Sequence, residues 1–238
     1  MIQLNLLTSF NAHSKGIDDI AVDPFGVWVI SVSRDLHVQI RQCSLPFDKH
    51  SELDLYQFGV NRNTTPPKPS HRIRHVRFGF VPTSSKTKSY LYTSLIPLSI
   101  NDKLISYIIQ WYENKQHQFI VRQRRAISYD RISATAVSNC GQYVSVGDSE
   151  GCVRIYETNR LILLYEHRSH SIFVTDLAFI LREENYLYET SVLSISADKN
   201  LYVHNVHPPE TNLFAASVFV LIGLLFFLLF SQIRFVFH

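Results

Sequence analysis

Glycine is scarce in this chain. Its eight glycines are scattered over 238 residues, with no glycine-rich run that could cradle a phosphate. Cysteine is scarcer still. Cys43, Cys140 and Cys152 show no metal-ligand spacing, and so odd and sparse a set fits a reducing compartment. The eleven histidines stand singly, and no Gly-x-Ser-x-Gly elbow occurs. His167 and His170 flank Arg168 and Ser169, but one such pair defines no site. No residue is therefore assigned a catalytic role, and neither a cofactor nor a metal is expected.

Acidic residues are missing from one long stretch. Between Asp54 and Asp102 there is none, while Arg62, Lys68, Arg72, Arg74, Arg77, Lys86 and Lys88 all occur. Arg122, Arg124 and Arg125 form a second basic cluster. Such a surface suits anionic headgroups or an acidic partner. A solvated basic loop is the plainer alternative, because the net charge of the whole chain is only +3. The run Arg72 to Arg77 lacks interleaved stacking aromatics, which argues against nucleic acid.

Charge is also missing from the end of the chain. Leu213 to Phe230 is 18 consecutive uncharged residues, 14 of them Leu, Ile, Val or Phe. That is the length of a transmembrane helix. At a helix centre those residues contribute about −4 to −8 kcal/mol as an upper bound. A buried core helix would need a polar face, and this run has none. The expected organisation is a domain over residues 1–206, a linker at 207–212, a membrane anchor at 213–233 and a short lumenal tail at 234–238.

Residues Met1 to Phe10 have no basic n-region and carry Gln3 and Asn5, so they make a poor signal peptide. A lipid-anchor reading of the tail fails with it. The large domain is expected in the cytosol, and the sequon Asn63-Thr64-Thr65 is expected to stay unmodified.

What is present before the tail is β-structure. Short runs rich in Val, Ile, Tyr and Phe alternate with turn residues, and no amphipathic helix is evident. Three segments repeat. They begin at Asp19-Ile20-Ala21-Val22, Ala134-Thr135-Ala136-Val137 and Asp176-Leu177-Ala178-Phe179. Each continues as turn, strand, tight turn, strand. Asp23-Pro24-Phe25-Gly26 and Ser138-Asn139-Cys140-Gly141 supply first turns; Asp148 to Gly151 and Ala197 to Asn200 supply second ones.

A fourth, degenerate unit lies at Arg72–Phe78, Tyr90–Leu95 and Ser106–Tyr112. Outer strands are expected at Leu53–Phe58, Phe119–Arg122 and Leu161–Tyr165. Val60 to Ser70, with three prolines, reads as a polar loop. The chain thus reads as about four four-stranded blades of a β-propeller, the last lacking its outer strand. Two outcomes are expected of so short a propeller. Either Ile2–Phe10 pairs with Leu201–Asn205 to close it, or the open arc self-associates.

His13 precedes Asp19 by six residues, and His170 precedes Asp176 by six. In WD-repeat blades such a His and a hairpin Asp form a buried hydrogen-bond network, which is a structural role. The order of features resembles the prolactin regulatory element-binding protein family. Ser33-Arg34-Asp35-Leu36, Arg77-Phe78-Gly79 with Val81-Pro82, and His170 to Phe179 carry the resemblance, together with the apolar tail.

The resemblance implies a WD-repeat exchange factor of the endoplasmic-reticulum membrane, acting on the small GTPase that starts COPII coat assembly. It also implies seven blades and a glycine-rich exchange loop in the first of them. Neither fits this chain, so it is expected to be a partial or shortened product, with a divergent relative that has lost the front half as the alternative, and no exchange residue can be carried over. A membrane-tethered, non-enzymatic scaffold for protein–protein interaction is the alternative.

Overall fold

A computed structural model describes residues 6–53, 70–81, 88–99, 103–180 and 191–205. The described residues form strands and turns, with no helix among them. The first sheet contains β1 (Ile17–Val22), β2 (Trp28–Ser33), β3 (Val38–Gln42) and β4 (Lys49–Glu52). The second contains β5 (His71–Val81), β6 (Lys88–Pro97), β7 (Ser106–Glu113) and β8 (Phe119–Ser128). The third contains β9 (Ile132–Val137), β10 (Tyr143–Asp148), β11 (Cys152–Glu157) and β12 (Ile162–Arg168). The fourth contains β13 (Val174–Ile180), β14 (Ser191–Ser196) and β15 (Leu201–Asn205). Each sheet is an antiparallel meander whose strands lie side by side in chain order.

Tight turns make these meanders, and their backbones explain the residues found there. Gly26 and Gly141 close the first turns of their sheets at positive φ, each donating its N–H three residues back, to Asp23 and Ser138. The second turns share a left-handed position as well. Gly151 fills it in the third sheet, but Leu36 (φ 72°) and Lys199 (φ 71°) fill it in the first and fourth. The turn geometry, held by the Leu36 N–H to Ser33 and the Lys199 N–H to Ser196, overrides residue preference there.

The core lies between sheets. Because side chains alternate across a strand, each sheet can bury both faces. Trp28, Ile30 and Ile40 of the first sheet pack with Val76, Leu91 and Trp111 of the second. Tyr92, Ile96 and Ile108 on the other face of the second pack with Val144, Val146 and Tyr156 of the third. Ala136, Val153 and Ile155 then pack with Val174, Leu177 and Val192 of the fourth. The axial strands β1, β5, β9 and β13 run through this series, each packed on the next. Among the described residues no comparable packing joins the fourth sheet to the first, so the four described sheets form an open arc.

The described strands extend or shift several expectations. The fourth strand described in the first sheet is β4, Lys49–Glu52; of the expected outer strand Leu53–Phe58, only Leu53 is described, and it lies just past that strand. The sequence of β4, Lys-His-Ser-Glu, is polar because it forms a sheet edge, so it carries no alternating apolar signal. β8 runs six residues past the expected Arg122.

The fourth sheet has no fourth strand among the described residues, as expected, but the closure from the N-terminus is absent there too. Leu6 to Phe10 form no strand. Phe10 instead packs near Phe47, with the Arg41 guanidinium 4.5 Å from its ring centre. The segment is thus held on the first blade, not the fourth. Ile2 to Asn5, the loop from Val60 to Pro69, and the apolar run Leu213–Phe230 lie outside the described residues.

Candidate interaction surface

The paired His and Asp residues are where the repeat predicts them. His13 Nδ1 lies 3.1 Å from Asp35 Oδ2 and its Nε2 lies 2.8 Å from Ser31 Oγ. His170 repeats both contacts, at 3.1 Å to Asp198 Oδ2 and 2.8 Å to Ser194 Oγ. A Ser-His-Asp set of this kind can resemble a hydrolytic triad. Here the hydroxyls of Ser31 and Ser194 are buried inside the sheets, so no substrate reaches them.

Asp35 shows the same structural role. Burial opposes its charge, but the His37 and Ser14 N–H groups and the Ser33 hydroxyl outweigh burial and bring its pKa down to about 2. The second blade keeps a remnant of the network, with the Trp111 indole donating to Thr93 Oγ1 at 2.9 Å.

The third blade uses a different solution. Val146 stands at the register position of Ser31 and Ser194, and Arg154 faces it from β11. The Arg154 guanidinium bonds Asp148 at 2.6 Å and Glu166 at 2.8 Å. Cys152 lies beside this pair. Burial first, and then the Asp148 and Glu166 carboxylates, push its thiol up to about 11, which makes it a poor nucleophile.

The basic residues singled out in the sequence divide into two groups. Arg72, Arg74 and Arg77 sit on β5 and reach back to β1. Asp18, almost fully buried, takes Arg72, Arg74 at 3.0 Å and the exposed Arg34 at 3.3 Å. Asp19 takes the Val76 N–H at 3.0 Å and the Arg77 guanidinium. These arginines therefore fasten blade one to blade two, which a loop reading would not predict. Arg131 stands near Arg72 and Arg74, and burial together with those two charges lowers its pKa. Three guanidinium groups thus bond one carboxylate at this rim of the arc, with Arg131 near two of them, leaving positive charge in excess for an anionic partner group.

Arg122 belongs to the opposite rim, stacked 5.0 Å from the Tyr90 ring centre and bonded to Gln110. Arg124 lies 6.0 Å from Tyr107. Arg62, Lys68 and Lys86 lie outside the described residues, and Lys88 is described only as part of β6.

Beside Arg122 a groove of about 450 Å³ opens between the first two sheets. Asp23, Phe25, Tyr112 and Glu113 line it, and the buried Asp23 Oδ1 has no hydrogen-bond partner. Sequence reasoning missed it, because its residues come from four strands and turns and share no local pattern. Among the described residues no three His, Cys, Asp or Glu side chains converge as metal ligands.

Repeated four-stranded blades with a His–Asp–Ser network define a WD-repeat β-propeller protein. The model of the WD domain, G-beta repeat matches residues 4–41, which include β1, β2 and all but the last residue of β3. Among curated proteins the chain is similar to SEC12. It is 27% identical to guanine nucleotide-exchange factor SEC12 of Rattus norvegicus over 208 residues, or 84% of this chain and 47% of the relative. The Mus musculus protein is 26% identical over the same shares. The chain thus spans about half the length of the curated relatives it matches.

Among solved structures, the Myceliophteria thermophila Cps50 (Swd1) β-propeller domain superposes with TM-score 0.56 at 12% identity, over 87% of this chain and 57% of that one. The computationally designed Ika4 protein superposes with TM-score 0.52 at 16% identity, over 86% of this chain and all of Ika4. The designed Ika8 protein gives 0.50 at 16% identity, over 83% of this chain and 48% of that one.

Proposed function

We propose that this chain is a membrane-anchored, exchange-factor-like protein for the small GTPase that initiates COPII vesicle formation at the endoplasmic reticulum. The observation supporting this reading is its similarity to SEC12, which extends over 84% of the chain. The apolar run Leu213–Phe230 supplies the anchor, single-pass, with the propeller arc on the cytosolic side. Exchange of this kind needs no acid–base chemistry. A protein that binds the nucleotide-free GTPase more tightly than its GDP form shifts the population toward release, by as much as that difference in affinity allows.

The test is GDP release from the COPII-initiating GTPase on liposomes carrying the full chain, with folding checked by circular dichroism. Faster release is expected. An unchanged rate with folded protein would end the exchange reading.

The scattered glycines favour a second reading. Without a glycine-rich loop, the arc is a tethered scaffold whose two rims hold cytosolic proteins. That reading predicts GTPase binding without acceleration, or binding to other proteins only.

A further inference from the structure

We propose that the arginine cluster around Asp18 is a binding site for a phosphate group. The observation behind it is a mismatch of charge where the first three blades meet at one rim. Asp18, with 3% of its side chain exposed, takes Arg72, Arg74 and Arg34 at once. Arg131 is the residue before β9, and β9 packs on β5, which carries Arg72 and Arg74. Among the described residues no carboxylate pairs with Arg131. One carboxylate thus answers four guanidinium groups, a surplus of three positive charges.

Fastening the blades does not call for this surplus. Arg77 and Asp19 join the same two blades one to one. Nor do the neighbouring carboxylates remove it. Asp19 is taken by Arg77, Asp35 by His13, and Asp130 turns to the Ser128 hydroxyl at 3.4 Å. Burial, Arg72 and Arg74 together lower the pKa of Arg131, the direction expected when like charges crowd it without an offsetting anion. All of these groups sit at joints between described blades, away from the two end faces of the arc.

The donors at this rim are also unspent. Each guanidinium carries five N–H donors, whereas a carboxylate has about four acceptor sites. Asp18 takes one nitrogen from each of its three arginines. Arg34 and Arg74, 66% and 35% exposed, present the remaining donors to solvent.

A phosphate group fits this surplus better than a second carboxylate. It brings about −1.5 to −2 charges and three strong acceptor oxygens in one compact unit. Arginine bonds it through two parallel N–H groups. The arginines come from the β2–β3 turn, from β5 and from the entry to β9, so they gather about Asp18 instead of lining a track. That arrangement favours a compact anion over an extended acidic peptide. A soluble phosphate ester and a lipid headgroup present the same oxygens, and the experiment separates them.

The test is thermal melting and titration calorimetry of the full chain in mild detergent, at constant ionic strength, with inorganic pyrophosphate as the probe. Pyrophosphate should raise the melting midpoint, because a ligand held only by the folded state stabilises it. Chloride at equal ionic strength should not. Arg34→Gln and Arg131→Gln should each weaken pyrophosphate binding by about tenfold, the share of one charged hydrogen bond. Arg160→Gln, at an exposed arginine in the β11–β12 turn, should leave it unchanged. Micelles doped with phosphatidic acid identify the source. Displacement of pyrophosphate assigns the site to a headgroup and retention assigns it to a soluble ester, and either supports a phosphate site. A wild-type chain that gains nothing from pyrophosphate overturns the proposal. So does binding that survives both substitutions, or an equal gain from poly-glutamate.

Discussion

The Tyr165 hydroxyl lies 3.0 Å from His204 Nδ1, so the outer strand of the third blade holds the last described strand of the fourth. The other ring nitrogen of His204 lies 2.7 Å from Ser194 Oγ, which also meets His170. One hydrogen-bonded chain therefore runs Asp198, His170, Ser194, His204, Tyr165 and crosses a blade joint. Such a chain is coupled, and disturbing one member loosens both blades.

That chain makes stability depend on pH. Burial first, and then the neighbouring His167 and His170, lower the pKa of His204 from 6.5 to about 4. Burial and the adjacent Arg74 and Arg77 lower that of His75 to about 3. The unfolded chain takes up these protons near pH 6.5, whereas the folded chain resists until pH 3 to 4. Across that window the unfolded state binds more protons, so stability present above pH 6.5 is lost as pH falls. Thermal melts between pH 7 and pH 4 should show a falling midpoint. His204→Gln should flatten the slope while lowering the midpoint at pH 7. Equal slopes for the two proteins would mean that His204 does not contribute.

The third blade's buried ion pair should behave differently. Asp148 accepts the Glu150 and Cys152 N–H groups as well as the Arg154 guanidinium, and almost none of it is exposed. Asp148→Ala leaves the Arg154 charge half-satisfied inside the protein, which costs about 3–5 kcal/mol. Replacing both residues with apolar ones, Asp148→Leu with Arg154→Met, should cost less than the sum of the single changes. Urea unfolding of the three variants measures this directly. A loss below about 1 kcal/mol for Asp148→Ala would show that solvent relieves the charge.

These networks also show how far the sequence could be read. The six-residue spacing from His13 to Asp19 recurs at His170 and Asp176, so two blades announced their network. The third did not, because Arg154 in a strand reads as a solvated charge until β12 brings Glu166 opposite it. The same limit hid the Arg72, Arg74 and Arg77 pairings. Their partners, Asp18 and Asp19, lie more than 50 residues away, and only the packing of β1 on β5 joins them. β4 was not legible because an edge strand of polar residues has no apolar period. Counting blades left closure and an open arc as alternatives, whereas the path of Leu6 to Phe10 follows from packing against Phe47 and Arg41, which no repeat encodes.

Two glycines in matching turns separate backbone conformation from close packing. Gly26 and Gly141 have φ of +68° and +69°, so alanine strains either by about 1–2 kcal/mol. Their surroundings differ. A Cβ on Gly26 would meet nothing within 4 Å, whereas one on Gly141 would lie 1.0 Å from the Phe80 carbonyl oxygen. The third blade's turn thus rests directly on the backbone of β5. Gly26→Ala should lose only the conformational share. Gly141→Ala must also push the turn away from Phe80 and open the joint between the second and third blades. Chemical denaturation should therefore show a clearly larger loss for Gly141→Ala, with increased proteolysis near β5. Equal losses would mean that the turn moves freely and that the contact with Phe80 does not hold the two blades together.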